Sequence, residues 1–126
     1  MKRMILAMSL AFLPVGALAQ YPQGAKEKEL AKYERTGKRE SCIQRNRIES
    51  TQIVDASTIL FFVGGQVYLN ELQQKCAFLS PMRGISYTTS INQLCNTDII
   101  SVVETGMPVR NLGACNLGQF ELLQKK

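Results

Sequence analysis

The sequence predicts an all-β fold, a small antiparallel barrel or rolled meander of about five to six strands. Three observations carry this expectation. Short runs of β-branched and aromatic residues recur between turn-forming residues. Two of these runs flank Gly64-Gly65, a strong hairpin signal because both positions of a tight turn accept positive φ in glycine. No strand-helix alternation of the kind that builds a parallel α/β sheet is present.

The 126 residues allow one domain, and 45% hydrophobic residues exclude a disordered chain. The expected organisation is a signal peptide over residues 1–19, a charged lead-in over 20–41 and a disulfide-stapled β domain over 42–123. Lys2 and Arg3 precede an apolar stretch from Met4 to Ala19, which Ala17-Leu18-Ala19 closes. A charged start, a short apolar middle and a small-x-small ending are the pattern of an export signal, with cleavage expected before Gln20. The run is shorter than the roughly 20 residues of a spanning helix, so no transmembrane segment is expected after cleavage. The expected location is therefore periplasmic or secreted.

Removing residues 1–19 lowers the formal charge from +5 to +3, because Lys2 and Arg3 go with them. That excess is too weak for the basic footprint of a nucleic-acid binder. It is also local. Residues 26–49 hold eight basic and five acidic side chains, whereas residues 50–126 are balanced. The interspersed signs read as a solvated segment; the competing reading is surface adhesion through the basic segment 26–47. Residues 25–36 suit a short or frayed helix, with Gly37 as its stop.

The strands follow in order. Ile48 to Val54 suits an extended segment, and Asp55-Ala56-Ser57 a turn. Thr58 to Val63 and Gln66 to Asn70 form the hairpin. A two-residue loop sets Val63 opposite Gln66, Phe62 opposite Val67, Phe61 opposite Tyr68 and Leu60 opposite Leu69. Leu60, Phe62, Val67 and Leu69 then share one face, the expected core face. Phe61 and Tyr68 share the other, which is either covered or open to a ligand. Glu71 to Cys76 is polar, a loop or one helical turn. Ile85 to Ser90, Ile99 to Glu104 and Gln119 to Leu123 supply the remaining strands.

Cys42, Cys76, Cys95 and Cys115 are even in number and lack the close pairs of a zinc site or a redox CxxC. In an exported chain they read as two structural disulfides. Spacing leaves three connectivities open; Cys76–Cys95 with Cys42–Cys115 is the pairing expected.

The series Asp55, Thr58-Ile59-Leu60-Phe61, Gly65, Tyr68-Leu69-Asn70, Leu72 and Cys76 resembles a group of exported proteobacterial proteins catalogued as a domain of unknown function. Leu94-Cys95, Asp98-Ile99-Ile100 and Cys115-Asn116-Leu117-Gly118-Gln119-Phe120 extend the resemblance, with departures at Thr97 and Ala77-Phe78. It implies export. It implies no activity and lends no functional residue.

The chain has no histidine, which excludes a Ser-His-Asp triad, a Cys-His pair and every His-containing zinc site. No catalytic residue, cofactor or metal is indicated. Carboxylate catalysis would have to draw on Asp55, Glu71, Asp98, Glu104 and Glu121, with Asp55 and Asp98 as the named pair. Both stand where turns are expected, and aspartate caps turns. Phe61, Tyr68, Asn70 and Tyr87 are the ligand-face candidates. The functional expectation is a non-enzymatic binding or accessory module of the cell envelope with an unidentified envelope partner. The alternatives are a histidine-independent hydrolase of envelope polysaccharide and the adhesive basic segment.

Overall fold

The computed structural model describes residues 24–106 and 108–126. The export signal expected over 1–19 lies outside the described residues. A short helix, α1 (Ala25–Leu30), is followed by β1 (Tyr33–Glu40), β2 (Cys42–Gln44), a 3-10 turn (Arg45–Arg47), β3 (Ile48–Asp55), β4 (Thr58–Val63) and β5 (Gln66–Glu71). Then come β6 (Gly84–Ser86), β7 (Gln93–Cys95), β8 (Ile99–Glu104), β9 (Arg110–Asn116) and β10 (Phe120–Lys125). The fold is all-β.

Three open antiparallel sheets carry it. The largest has the order β1-β10-β5-β4-β3, and the others are β2-β7 and β6-β8-β9. None closes into a barrel. The β3-β4-β5 meander is the expected one, and its hairpin has the expected register, from Leu60 opposite Leu69 to Val63 opposite Gln66. Gly64 and Gly65 take φ of 55° and 82°, as this two-residue turn demands.

The charged segment after α1 departs from expectation. The helix ends at Leu30, and residues 33–40 form an edge strand antiparallel to β10. Gly37 lies inside that strand, where the register shifts between Arg35 and Arg39, and does not end a helix. A charge-rich sequence suits a solvent-facing sheet edge.

The expected core face is the smaller of two, and the face left open between covered and ligand-exposed is covered. Leu60, Val67, Leu69, Val54 and Leu123 form a smaller cluster, with Leu30 of α1, Tyr33 and Phe62 packed on it. The larger cluster lies on the opposite face, where Ile59, Phe61, Val63, Tyr68 and Phe120 meet Ile43, Leu94, Ile100 and Val102 of the two small sheets. Both faces of the hairpin are covered, so β4 is buried almost throughout.

The disulfides are Cys42–Cys95 and Cys76–Cys115, which overturns the expected pairing of Cys76 with Cys95 and Cys42 with Cys115. The reason is strand pairing. Cys42 on β2 sits directly opposite Cys95 on β7, and the Asn96 N–H donates to the Ser41 carbonyl at 2.8 Å. This makes the cysteines a non-hydrogen-bonded pair, whose side chains approach closely. The second bridge ties the segment after β5 to β9. With partners 53 and 39 positions apart, each closed loop is worth on the order of 3–4 kcal/mol by chain entropy. Two disulfides fit an oxidising compartment, periplasmic or extracellular. Among the described residues no helix is long and apolar enough to cross a membrane.

Candidate functional site

The four ligand-face candidates have different fates. Phe61 is fully buried and packs edge-on against Phe120, with ring centroids 5.3 Å apart, so it belongs to the core. Asn70 is also fully buried. Its carboxamide donates to the Gly118 carbonyl at 2.7 Å and accepts from the Gly118 N–H at 2.9 Å. It joins β5 to the approach to β10. Tyr87 is half-buried against the larger core, and burial raises its hydroxyl pKa. Tyr68 alone brings a polar group to a groove.

Four of the five candidate carboxylates are engaged in turns or ion pairs, and Glu104 is exposed at the end of β8. Asp55 accepts from the Ser57 N–H at 2.9 Å, and Asp98 accepts from the Cys95 N–H at 2.7 Å. Both are turn caps, in keeping with their positions in the sequence. Glu71 and Glu121 form a pair that sequence reasoning did not name. Both accept from Nη2 of Arg35, at 2.6 and 2.8 Å, and Lys26 reaches Glu71 at 2.7 Å. Hydrogen bonds from Lys26 and Arg35 hold Glu71 below the usual carboxylate range. Arg35 does the same to Glu121, which is nearly buried. The cavity beside them, about 360 Å³, also takes in Arg39, Gln73 and Asn96. General acid catalysis needs a carboxyl whose pKa is raised toward neutrality; these two are shifted the other way.

The groove at Tyr68 has a volume of about 300 Å³, at the lower end of small-ligand sites (roughly 300–1,000 Å³). Six elements build it: β1, β2, the 3-10 turn, β4, β5 and β7. Glu40 ends β1, Gln44 and Gln93 stand opposite each other on β2 and β7, and Gln66 opens β5. Arg47 ends the 3-10 turn. Its carbonyl accepts from the Gly64 N–H at 3.1 Å, and its guanidinium lies so close to Gly64 that a Cβ there would sit 2.6 Å from Nη2. Glycine at 64 serves the turn, and the Arg47 guanidinium packs against it. The floor is apolar, made by buried Ile43 and Val63 beside the Cys42–Cys95 bridge.

Tyr68 is buried, and its hydroxyl donates to Gln66 Oε1 at 3.2 Å. Burial first, and the Glu40 carboxylate second, push its pKa up, against a smaller opposing pull from Arg47. The phenol stays neutral and a donor at physiological pH. The groove thus offers one carboxylate, one guanidinium, one phenol and three primary amides around an apolar floor. That set holds donors and acceptors in near balance and has no net formal charge. Among the described residues, no ion pair joins Glu40 to Arg47. No cluster of His, Cys, Asp or Glu among the described residues is arranged to hold a metal ion.

Sequence reasoning found Tyr68 and missed its companions. Glu40, Gln44 and Arg47 lie in a stretch that reads as a solvated charged segment, and Gln93 belongs to a three-residue strand too short to detect. The pairing of β2 with β7 gathers them, and no local pattern announces it. Comparison with family models, with curated proteins and with solved structures found no match to this chain.

Proposed function

We propose that the protein is an exported, non-enzymatic binding module of the cell envelope, and that the groove at Tyr68 takes a polar, uncharged ligand of saccharide type. The observation that carries this reading is the convergence of Tyr68, Glu40, Arg47, Gln44, Gln66 and Gln93 over an apolar floor. Vicinal hydroxyls both donate and accept, and planar amide, carboxylate and guanidinium groups can meet them in pairs. An apolar floor suits the carbon face of a sugar ring. Export through the signal sequence of residues 1–19 and a resemblance to exported proteobacterial proteins support the location.

The alternatives have less support. Hydrolysis by paired acids would have to use Glu71 and Glu121, and cations hold both in the charged form. Adhesion through residues 26–47 would draw on a set of cations of which Lys26, Arg35 and Arg39 already pair with Glu71 and Glu121. Saturation-transfer NMR against a panel of envelope saccharides tests the proposal. At least one saccharide should receive saturation from the protein, and Arg47→Ala should abolish the effect. Transfer to none of the panel, or equal transfer from Arg47→Ala, would overturn it.

A further inference from the structure

β9 is an edge strand. It pairs with β8 on one side, and among the described residues nothing pairs with its other side. The Leu117 N–H donates to the Asp98 carbonyl at 3.3 Å, just beyond the paired Ile99 and Asn116. Asn116 and Ile99 are therefore a non-hydrogen-bonded pair, and the antiparallel alternation turns the backbone groups of Asn116 and Ala114 outward. Natural edges are usually guarded by charged side chains. Here Leu112 to Asn116 carries none.

A second wall borders this strand. Gln73 to Phe78, following β5, and Leu112 to Asn116 border one groove of about 380 Å³. The Cys76–Cys115 bridge joins the two walls and fixes their spacing. Phe78 holds a left-handed φ of 70°, a conformation that a bulky side chain rarely adopts. Phe78 is 57% exposed, its carbonyl accepts from Arg83 at 2.5 Å, and the Arg83 guanidinium sits 5.7 Å from the ring centroid. Strain of this kind is found where surrounding structure presents a group for contact. The charges here are of one sign. Lys75 is the one ionised side chain lining the groove, and it makes no ion pair among the described residues.

We infer that the β9 edge binds an extended, acidic peptide segment of a partner protein as an added strand. The backbone of that segment pairs with Ala114 and Asn116, an apolar side chain rests against Phe78, and a carboxylate meets Lys75. Backbone pairing supplies affinity in such recognition, and the side-chain contacts supply choice. This surface is separate from the groove at Tyr68 and stands whether or not that groove binds a saccharide.

The test is to pan phage-displayed random decapeptides against the intact, oxidised protein. Enriched peptides should share β-forming residues and a carboxylate. Their synthetic versions should bind at least about tenfold more weakly to Lys75→Glu, a change at an exposed side chain outside the core. Ala114→Pro, which removes an outward N–H at an edge where proline is tolerated, should cause a similar loss. Tyr68→Phe should bind them like the parent protein. No enrichment, enriched peptides without a carboxylate, or equal binding by both edge variants would overturn the inference. So would concentration-dependent dimerisation lost in Ala114→Pro, which would assign the edge to a second copy of the chain.

Discussion

The carboxamide of Asn70 holds the backbone of Gly118 by both its N–H and its carbonyl, at 2.9 and 2.7 Å, in a fully buried setting. The two residues are 48 positions apart, so this clamp fixes where the chain enters β10. Gly118 has no alternative there, because a Cβ would collide with the Glu71 carbonyl oxygen. Asn70→Ala should destabilise the protein by about 2–4 kcal/mol, since two buried backbone groups lose their partner. Asn70→Asp should be at least as costly, because it cannot donate to the Gly118 carbonyl. Urea titrations check both; an Asn70→Ala midpoint equal to the parent's would remove the clamp from the account.

A second prediction concerns Arg35. It holds Glu121 from the edge strand β1 while Lys26 helps it hold Glu71, and this network ties α1 and β1 to β5 and β10. Arg35 is itself 45% exposed, so the full cost of breaking a buried pair does not apply. Arg35→Ala should cost about 2 kcal/mol at pH 7. The pH dependence has a definite sign. Both carboxyls lie below their unfolded pKa, so their stabilisation is complete above about pH 5 and lost as the pH falls through and below about 4. The gap between Arg35→Ala and the parent should therefore narrow between pH 5 and 3. A gap that widens on acidification would contradict the network's assigned role.

The hairpin was legible in the sequence because its signals are local. Gly64-Gly65 sets the turn, and the turn sets every pair from Thr58 opposite Glu71 to Val63 opposite Gln66. Asp55 and Asp98 were legible as turn caps for the same reason. What was hidden is long-range. β1 has the composition of a helix or a solvated linker and becomes a strand by pairing with β10, more than 80 positions away. β2 and β7 have three residues each, and their pairing decides both the Cys42–Cys95 bridge and the groove at Tyr68. β9, with two asparagines and a glycine, has little strand propensity of its own. Whether the face of Phe61 and Tyr68 is covered or open to a ligand could not be read locally, because nothing local shows that two small sheets fold over it.

Thr58 offers a test of polar burial. It is fully buried on β4, and its Oγ1 has no hydrogen-bond partner among the described residues. Valine has nearly the same shape without the hydroxyl. Thr58→Val should raise stability by about 1 kcal/mol, because a desolvated, unpaired group is removed. A loss of stability in thermal or urea unfolding would mean that the hydroxyl has a partner.

Phe78 separates backbone strain from side-chain packing. Phe78→Ala keeps a residue that resists left-handed φ, whereas Phe78→Asn introduces one that tolerates it. The asparagine variant should be the more stable of the two by roughly 0.5–1 kcal/mol, although both lose the ring. Equal midpoints for the two variants would show that the φ of residue 78 carries no strain.

The central claim is that the groove at Tyr68 binds a polar, uncharged ligand without transforming it. A ¹H–¹⁵N NMR titration of the oxidised protein with an envelope saccharide pool tests this most directly, because the same samples report binding and the integrity of the sugars. The account predicts shifts concentrated on Glu40, Gln44, Arg47, Gln66, Tyr68 and Gln93, with the saccharides unchanged at the end. Shifts clustered instead on Glu71 and Glu121, with saccharide being consumed, would contradict it.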